Sequence, residues 1–227
     1  MRYLFLLFIT IYAFANVKVA TAGNVAFAIN DLADIFYKQT HIKVIPIIGS
    51  SGKLASQIEN HAPYDIYLSA NMKYPQYLYN KHLAITKPKV YAKGKLVLFS
   101  KYKEFDLLKA KKIAIANPKT APYGTLSIKY LKEKHLYSKV KNKLIIAPNI
   151  AAAFNYAVRI VDCGFVAKSL LFKIPKYNNP AYYKNLDFNE TTFQGVVLLT
   201  NNPQAKKFFN FLFSSQAKKI FKKYGYE

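Results

Sequence analysis

Ile42-Lys43-Val44-Ile45-Pro46-Ile47-Ile48 runs into Gly49-Ser50-Ser51-Gly52, then Lys53-Leu54-Ala55-Ser56-Gln57-Ile58, and after Ala62-Pro63 comes Asp65-Ile66-Tyr67-Leu68-Ser69. An apolar run stops at a turn of small residues. Leu54, Ala55 and Ile58 then share one helical face, and a second apolar run follows, which makes a strand, helix, strand unit. The residues before it repeat the scheme. Val17 to Ala22 reads as a buried strand, Gly23-Asn24 punctuates it, and Val25, Ile29, Leu32 and Phe36 recur at helical spacing, so a helix is expected to start close to Asn24.

The same alternation continues downstream. Lys95 to Ser100, Lys112 to Ala116, Leu144 to Ala147, Gly164 to Val166 and Gly195 to Thr200 read as strands. Pro122-Tyr123-Gly124 opens a helix through Leu131, and Pro148-Asn149 leads into one carrying Phe154, Ala157 and Val161. The stretch from Pro175 to Asn189, rich in Asn, Tyr and Pro, is expected to be a loop, and two helices close the chain. The fold class is therefore α/β, with mostly parallel sheets flanked by helices. The length suits one large domain or two lobes of about 100 residues each.

At the start, Arg2 precedes an apolar run from Tyr3 to Tyr12 and then Ala13-Phe14-Ala15, the pattern of a secretory signal cleaved near Asn16. About ten apolar residues are too few to cross a bilayer of roughly 30 Å. Residues 1–15 are thus expected to be removed, leaving a soluble protein outside the cytoplasm. The single cysteine, Cys163, allows no intrachain disulfide and reads as a small buried hydrophobe.

A formal charge of +23 invites a nucleic-acid reading, but Arg2 and Arg159 are the only arginines. Base-edge and bidentate phosphate recognition use Arg, and the lysines are scattered, so no nucleic-acid partner is expected. His41, His61, His82 and His135 stand apart with no second ligand at metal-binding spacing, and surface positions are expected for all of them. Gly49-Ser50-Ser51-Gly52-Lys53 lacks the earlier glycine of a nucleotide-binding loop, since Ile47 stands there. No serine lies in a nucleophile elbow, so catalytic machinery is not visible.

What recurs is a strand ending in small or polar residues from which a helix begins, at Gly23-Asn24, Ser50-Ser51, Pro122-Tyr123 and Asn149-Ile150. A helix start leaves N–H groups without intrahelical partners at the positive end of the macrodipole, and so binds anions without a full positive charge. Converging starts would make a dianion site, with Asn24, Ser50 and Ser51 adding side-chain donors. Asn24, Ser50, Ser51 and Asn149 are also residue types that cap helices.

Three stretches resemble the periplasmic molybdate-binding proteins of the ModA family: Ala22 to Val25, Gly49 to Ala70, and Ser215 to Tyr226. The resemblance covers essentially the whole chain after the leader, and the middle stretch is the specific one. It implies a two-lobed periplasmic-binding-protein fold of type II, with residues 16–91 and 198–227 in one lobe and 92–197 in the other. The ligand implied is molybdate or tungstate in the interlobe cleft, with no cofactor and no enzymatic activity. The partners implied are an ABC permease and its ATPase, and a monomer is expected. Carried over by position, Asn24 and Ser51 hold the oxyanion from the first lobe, and the backbone N–H groups of Tyr123 and Ile150 from the second. Departures are Asn24 where many members have serine, Asn71 where aspartate is usual, and Ala167 where several members supply a tyrosine hydroxyl. The alternatives are a binding protein for sulfate, phosphate or another oxyanion, or an exported two-lobed hydrolase using a serine or Cys163.

Overall fold

The computed structural model describes residues 16–103, 105–188 and 192–227, so the leader expected over 1–15 lies outside the described residues. The chain opens with β1 (Val17–Ala22), α1 (Ala28–Thr40), β2 (Val44–Gly49), α2 (Ser51–Glu59), β3 (Ile66–Leu68), α3 (Lys73–Asn80) and β4 (Lys89–Gly94). It continues with β5 (Leu96–Ser100), β6 (Ile113–Ala116), α4 (Pro122–Glu133), α5 (Tyr137–Val140), β7 (Leu144–Ala147), α6 (Ile150–Arg159), β8 (Cys163–Ala167), α7 (Lys168–Leu171) and β9 (Tyr183–Asn185). It returns through β10 (Thr192–Leu198) and ends in α8 (Pro203–Phe211) and α9 (Ser215–Lys223).

Two five-stranded sheets result, ordered β2-β1-β3-β10-β4 and β7-β6-β8-β5-β9. In the first, β1 runs parallel to β2 and β3, while β10 runs antiparallel to β3 and β4. The second repeats the plan, with β6 parallel to β7 and β8, and β5 antiparallel to β8 and β9. Both sheets are therefore mixed, where mostly parallel ones were expected. Strands joined by helical crossovers run parallel. The chain's passages between the sheets, at Gly94–Leu96 and ahead of Thr192, bring in the antiparallel strands. The expected divisions at 91/92 and 197/198 fall inside β4 and β10, both of which pair within the first sheet.

Each lobe buries its own core. Val19, Ile29, Phe36 and Phe208 lie in the first, where the rings of Phe36 and Phe208 meet edge to face at 5.0 Å. Phe99, Ile113, Phe154 and Phe165 lie in the second. Such ring pairs add about 1 kcal/mol beyond area burial. Ala22 and Ala70, at the ends of first-sheet strands, pack into the second lobe's core, so the lobes are in contact and the cleft is closed.

Several elements differ from expectation. Gly23–Val25 forms a 3-10 turn, and α1 begins only at Ala28. The stretch expected as a loop holds two 3-10 turns, Pro175–Asn178 and Pro180–Tyr182, and the edge strand β9. β4 carries no apolar run because Lys89, Val90 and Lys93 face solvent, and its strand state comes from pairing with β10.

All four histidines are exposed and adopt left-handed backbone angles, with φ of 56° at His41, 61° at His61, 56° at His82 and 54° at His135. Each follows a helix. The N–H groups one residue beyond His61, His82 and His135 close Schellman bonds back to Gln57, Leu78 and Leu131.

Candidate functional site

The carboxyl ends of β1, β2, β6 and β7 lead into turns that meet at the lobe junction. Ala22, Gly23, Asn24, Gly49, Ser50, Ser51 and Ala70 line a cavity there from the first lobe, and Ala121, Pro122, Tyr123 and Ile150 line it from the second. The five residues singled out from the sequence, Asn24, Ser50, Ser51, Tyr123 and Ile150, thus lie together, from positions scattered over half the chain. The cavity leaves about 10 Å³ for the centre of a water-sized sphere. That is close to a single-sphere void, whereas organic ligands need hundreds of Å³. A larger groove of about 640 Å³ opens between the lobes around Asn71, Lys73, Lys119 and Phe193. It is broad and exposed and gathers no comparable set of helix starts.

Each of these turns offers early backbone N–H groups without an intrahelical acceptor. Ser51 is the first residue of α2, and Leu54 N–H, bonding back to Ser50 C=O at 3.0 Å, is the first to have an intrahelical acceptor. In α4, Pro122 has no N–H and Gly124 N–H bonds Ala121 C=O at 2.9 Å, which leaves Tyr123 as the donor of that turn. In α6, the Asn149 side chain caps Ala152 N–H at 2.9 Å and leaves Ile150, the first helical residue, uncapped. Asn24 sits in a 3-10 turn whose first closing bond is Ala26 N–H to Gly23 C=O. The helix start expected at Asn24 is thus a tighter turn, which also leaves its early N–H groups unpaired.

The side chains divide sharply. Ser51 Oγ accepts from Ala70 N–H at 3.0 Å, so its hydrogen is free to donate elsewhere. Ser50 is 3% exposed, makes no capping bond, and its hydroxyl has no partner. Of the four potential capping residues in these turns, Asn149 alone caps. Asn24 departs from its expected role as a side-chain donor to the cavity. Its Nδ2 donates to Gln194 Oε1 at 2.7 Å and to Tyr226 Oη at 2.9 Å, and its buried Oδ1 has no partner.

Behind Asn24 lies a polar network with no counterpart in the sequence reading. Tyr91 Oη donates to Gln194 Oε1 at 2.8 Å, Gln194 Nε2 donates to Tyr123 Oη at 3.1 Å, and Tyr226 Oη and Ser169 Oγ both donate to Asn24 C=O. Nothing in the sequence marks Gln194, and Tyr226 stands out only as the end of the last stretch that resembles the family; the partners of both lie far along the chain. Burial pushes the Tyr123 phenol up to about 12, against the opposing effect of its bonds to Thr192 and Gln194. Burial likewise raises Tyr67, Tyr91 and Tyr226. These phenols stay neutral through physiological pH. Ala167 is buried and does not line the cavity, and Tyr123 directs its hydroxyl to Gln194, so no tyrosine hydroxyl among the described residues takes the vacant role.

The lobes meet closely on both sides of the cavity. Gly52 N–H donates to Thr120 C=O at 2.8 Å. A β-carbon on Gly23 would stand 3.0 Å from Ala151 N, a tight contact, so glycine eases this approach to the start of α6. No group of three or more His, Cys, Asp or Glu able to hold a metal ion occurs among the described residues.

The profile of the family described as bacterial extracellular solute-binding protein matches residues 17–227. This chain belongs to that family. Among solute-binding relatives, the molybdate-binding protein ModA of Azotobacter vinelandii is 35% identical over 93% of this chain and 90% of its own length. Its namesake in Rhodobacter capsulatus is 30% identical over 94% of this chain and 89% of its own. The solved periplasmic molybdate-binding protein of Azotobacter vinelandii superposes with a TM-score of 0.87 at 30% identity, covering 93% of this chain and 99% of that one. The two mixed, helix-flanked sheets are those of a periplasmic solute-binding protein, and the relatives named here are binding proteins. No described helix is long and apolar enough to cross a membrane.

Proposed function

We propose that this chain is the extracytoplasmic solute-binding component of an ABC importer, and that it closes on one tetrahedral oxyanion, molybdate or tungstate, at the cavity between its lobes. The observation that carries the reading is that Asn24, Ser51, Tyr123 and Ile150, each in the first turn of a helix or 3-10 turn, line one small cavity between the lobes. The N–H groups of such turns satisfy a dianion in a water-excluded site with no cation beside it. The names of the relatives supply the choice of molybdate over sulfate or phosphate.

The leader over 1–15 would direct the chain to the periplasm, where it acts as a monomer that hands the anion to a permease and its ATPase. The lobe built on the first sheet, through Gly94 and again from Thr192 onward, would move against the lobe built on the second, bending where the chain passes between the sheets. The protein needs no cofactor and catalyses no reaction. In support, burial pushes the Cys163 thiol up to about 12, which keeps it from acting as a nucleophile. The histidines are exposed at helix ends, away from Ser50 and Ser51.

Isothermal titration with molybdate, tungstate, sulfate and phosphate tests this directly. Binding of molybdate or tungstate in preference to the other two supports the reading, and heat from neither would overturn it. A fourfold rise in salt should leave the affinity nearly unchanged, since a buried site is screened far less than a surface patch.

A further inference from the structure

The broad groove between the lobes is built differently from the small cavity. Its volume of about 640 Å³ falls in the range of pockets that hold organic ligands. Val90 on β4 and Phe193 on β10, 43% and 50% exposed, stand on its wall, with Met72 beside them in the first lobe and Leu126 in the second. Gln194, next along β10, is fully buried, so the Phe193 ring projects from the other face of the strand, where it meets solvent. Exposed apolar side chains gathered in one concave place mark a binding surface, which single ones do not.

Charge along the groove has one sign. Lys73 from the first lobe and Lys119 from the second line it, both exposed and neither in an ion pair among the described residues. None of the described residues lining it is acidic. Lys93 Nζ, 5.1 Å from the centre of the Phe193 ring, adds a third cation close by. Unpaired ammonium groups beside an apolar floor favour a ligand that is anionic at one end and apolar at the other.

We propose that this groove is a second binding site, for a small amphipathic organic anion. The apolar body of the ligand lies on Val90, Phe193, Met72 and Leu126, and its carboxylate, sulfonate or phosphate meets Lys73 and Lys119. A concave space of this volume suits one free molecule, whereas a stable protein partner needs about 800 Å² of each surface. Pro122 lines both the groove and the small cavity, so the two sites are neighbours, but Lys73, Lys119 and Phe193 do not line the cavity. The inference goes beyond the oxyanion reading and does not depend on it.

Equilibrium fluorescence titration tests it with a matched pair of probes: anilinonaphthalene sulfonate, an anion on an apolar ring system, and phenylnaphthylamine, which has the same rings and no charge. The sulfonate should bind saturably, one per chain, and about tenfold tighter than the neutral probe, the scale of two exposed charge contacts. The double variant Lys73→Gln, Lys119→Gln should remove that difference and leave the neutral probe unaffected. Phe193→Ser should weaken both probes. All of these positions are exposed, and thermal melting confirms that each variant is folded. Saturating molybdate should leave the sulfonate bound. Equal affinity for the two probes, binding that does not saturate, or a sulfonate affinity untouched by the lysine and Phe193 variants would overturn the proposal. Displacement by molybdate would overturn it too, by placing the probe in the small cavity. Displacement by polyglutamate or anionic vesicles at concentrations far below those of the probe would assign the groove to an acidic macromolecule instead.

Discussion

Gly52 N–H, in the first turn of α2, donates across the cleft to Thr120 C=O at 2.8 Å, and this bond joins the two lobes beside the cavity. Both partners are backbone, so the contact depends on how closely the lobes approach. A β-carbon on Gly52 would stand 2.7 Å from Tyr74 Oη and 2.9 Å from Thr120 O. The tyrosine can swing aside and the backbone carbonyl cannot. Gly52 therefore permits closure.

Gly52→Val should hold the lobes apart. Molybdate affinity is expected to fall at least about tenfold, or ~1.4 kcal/mol, with little change in the melting temperature of the ligand-free protein. Small-angle scattering with saturating ligand should show a larger radius of gyration than the wild type. Unchanged affinity would mean that closure does not need this contact.

Ser50 and Ser51 are neighbours with opposite expectations. Ser51→Ala strands the buried Ala70 N–H and should cost about 1–3 kcal/mol of stability in addition to weakening binding. Ser50→Ala removes a buried hydroxyl that has no protein partner, so stability should hold or rise slightly while affinity falls. Chemical denaturation together with calorimetry separates the two. A stability loss at Ser50 equal to that at Ser51 would contradict the hydrogen-bond assignment.

The pH response should be alkaline and one-sided. Tyr123 keeps its proton up to about 12 in the folded protein, while an unfolded tyrosine loses it near pH 10. Above about pH 10 the unfolded chain binds fewer protons than the folded one, so its contribution to stability is complete below pH 10 and is lost as pH rises through 12. Burial of Tyr67, Tyr91 and Tyr226 adds in the same direction. Melting temperatures from pH 8 to 12 should decline as tyrosinate absorbance grows. Molybdate affinity should be flat between about pH 7 and 9, since no lining residue titrates there.

His82→Gly should stabilise the protein. A left-handed residue with a β-carbon costs about 1–2 kcal/mol, and the extra chain entropy of glycine returns about 0.5–1 of it, for a net gain of roughly 0.5–1 kcal/mol. His135→Gly ends a helix of the same kind that packs in the other lobe, so its gain should add to that of His82→Gly within about 0.5 kcal/mol. Denaturation midpoints measure this. A loss on substitution would show that the imidazoles make contacts worth more than the backbone strain.

Much of the plan is legible in the residues. Apolar runs stopped by Gly23-Asn24, Gly49-Ser50 and Pro148-Asn149 mark strands and turns, and the spacing of Ile29, Leu32 and Phe36 marks α1, because periodicity and turn chemistry are local. β4 and β9 escape notice because their strand character comes from a paired neighbour and not from their own composition. The shift from mostly parallel to mixed sheets has the same origin.

The sequence alone determined which turns could offer backbone donors to an anion. Only the tertiary structure decided how each donor is used. Ser51 keeps a free hydrogen because Ala70 satisfies its oxygen, and Asn24 spends its amide hydrogens on Gln194 and Tyr226, 170 and 202 residues away. Hydrogen-bond satisfaction is settled by whatever the folded chain brings within 3 Å, and no local pattern carries that information.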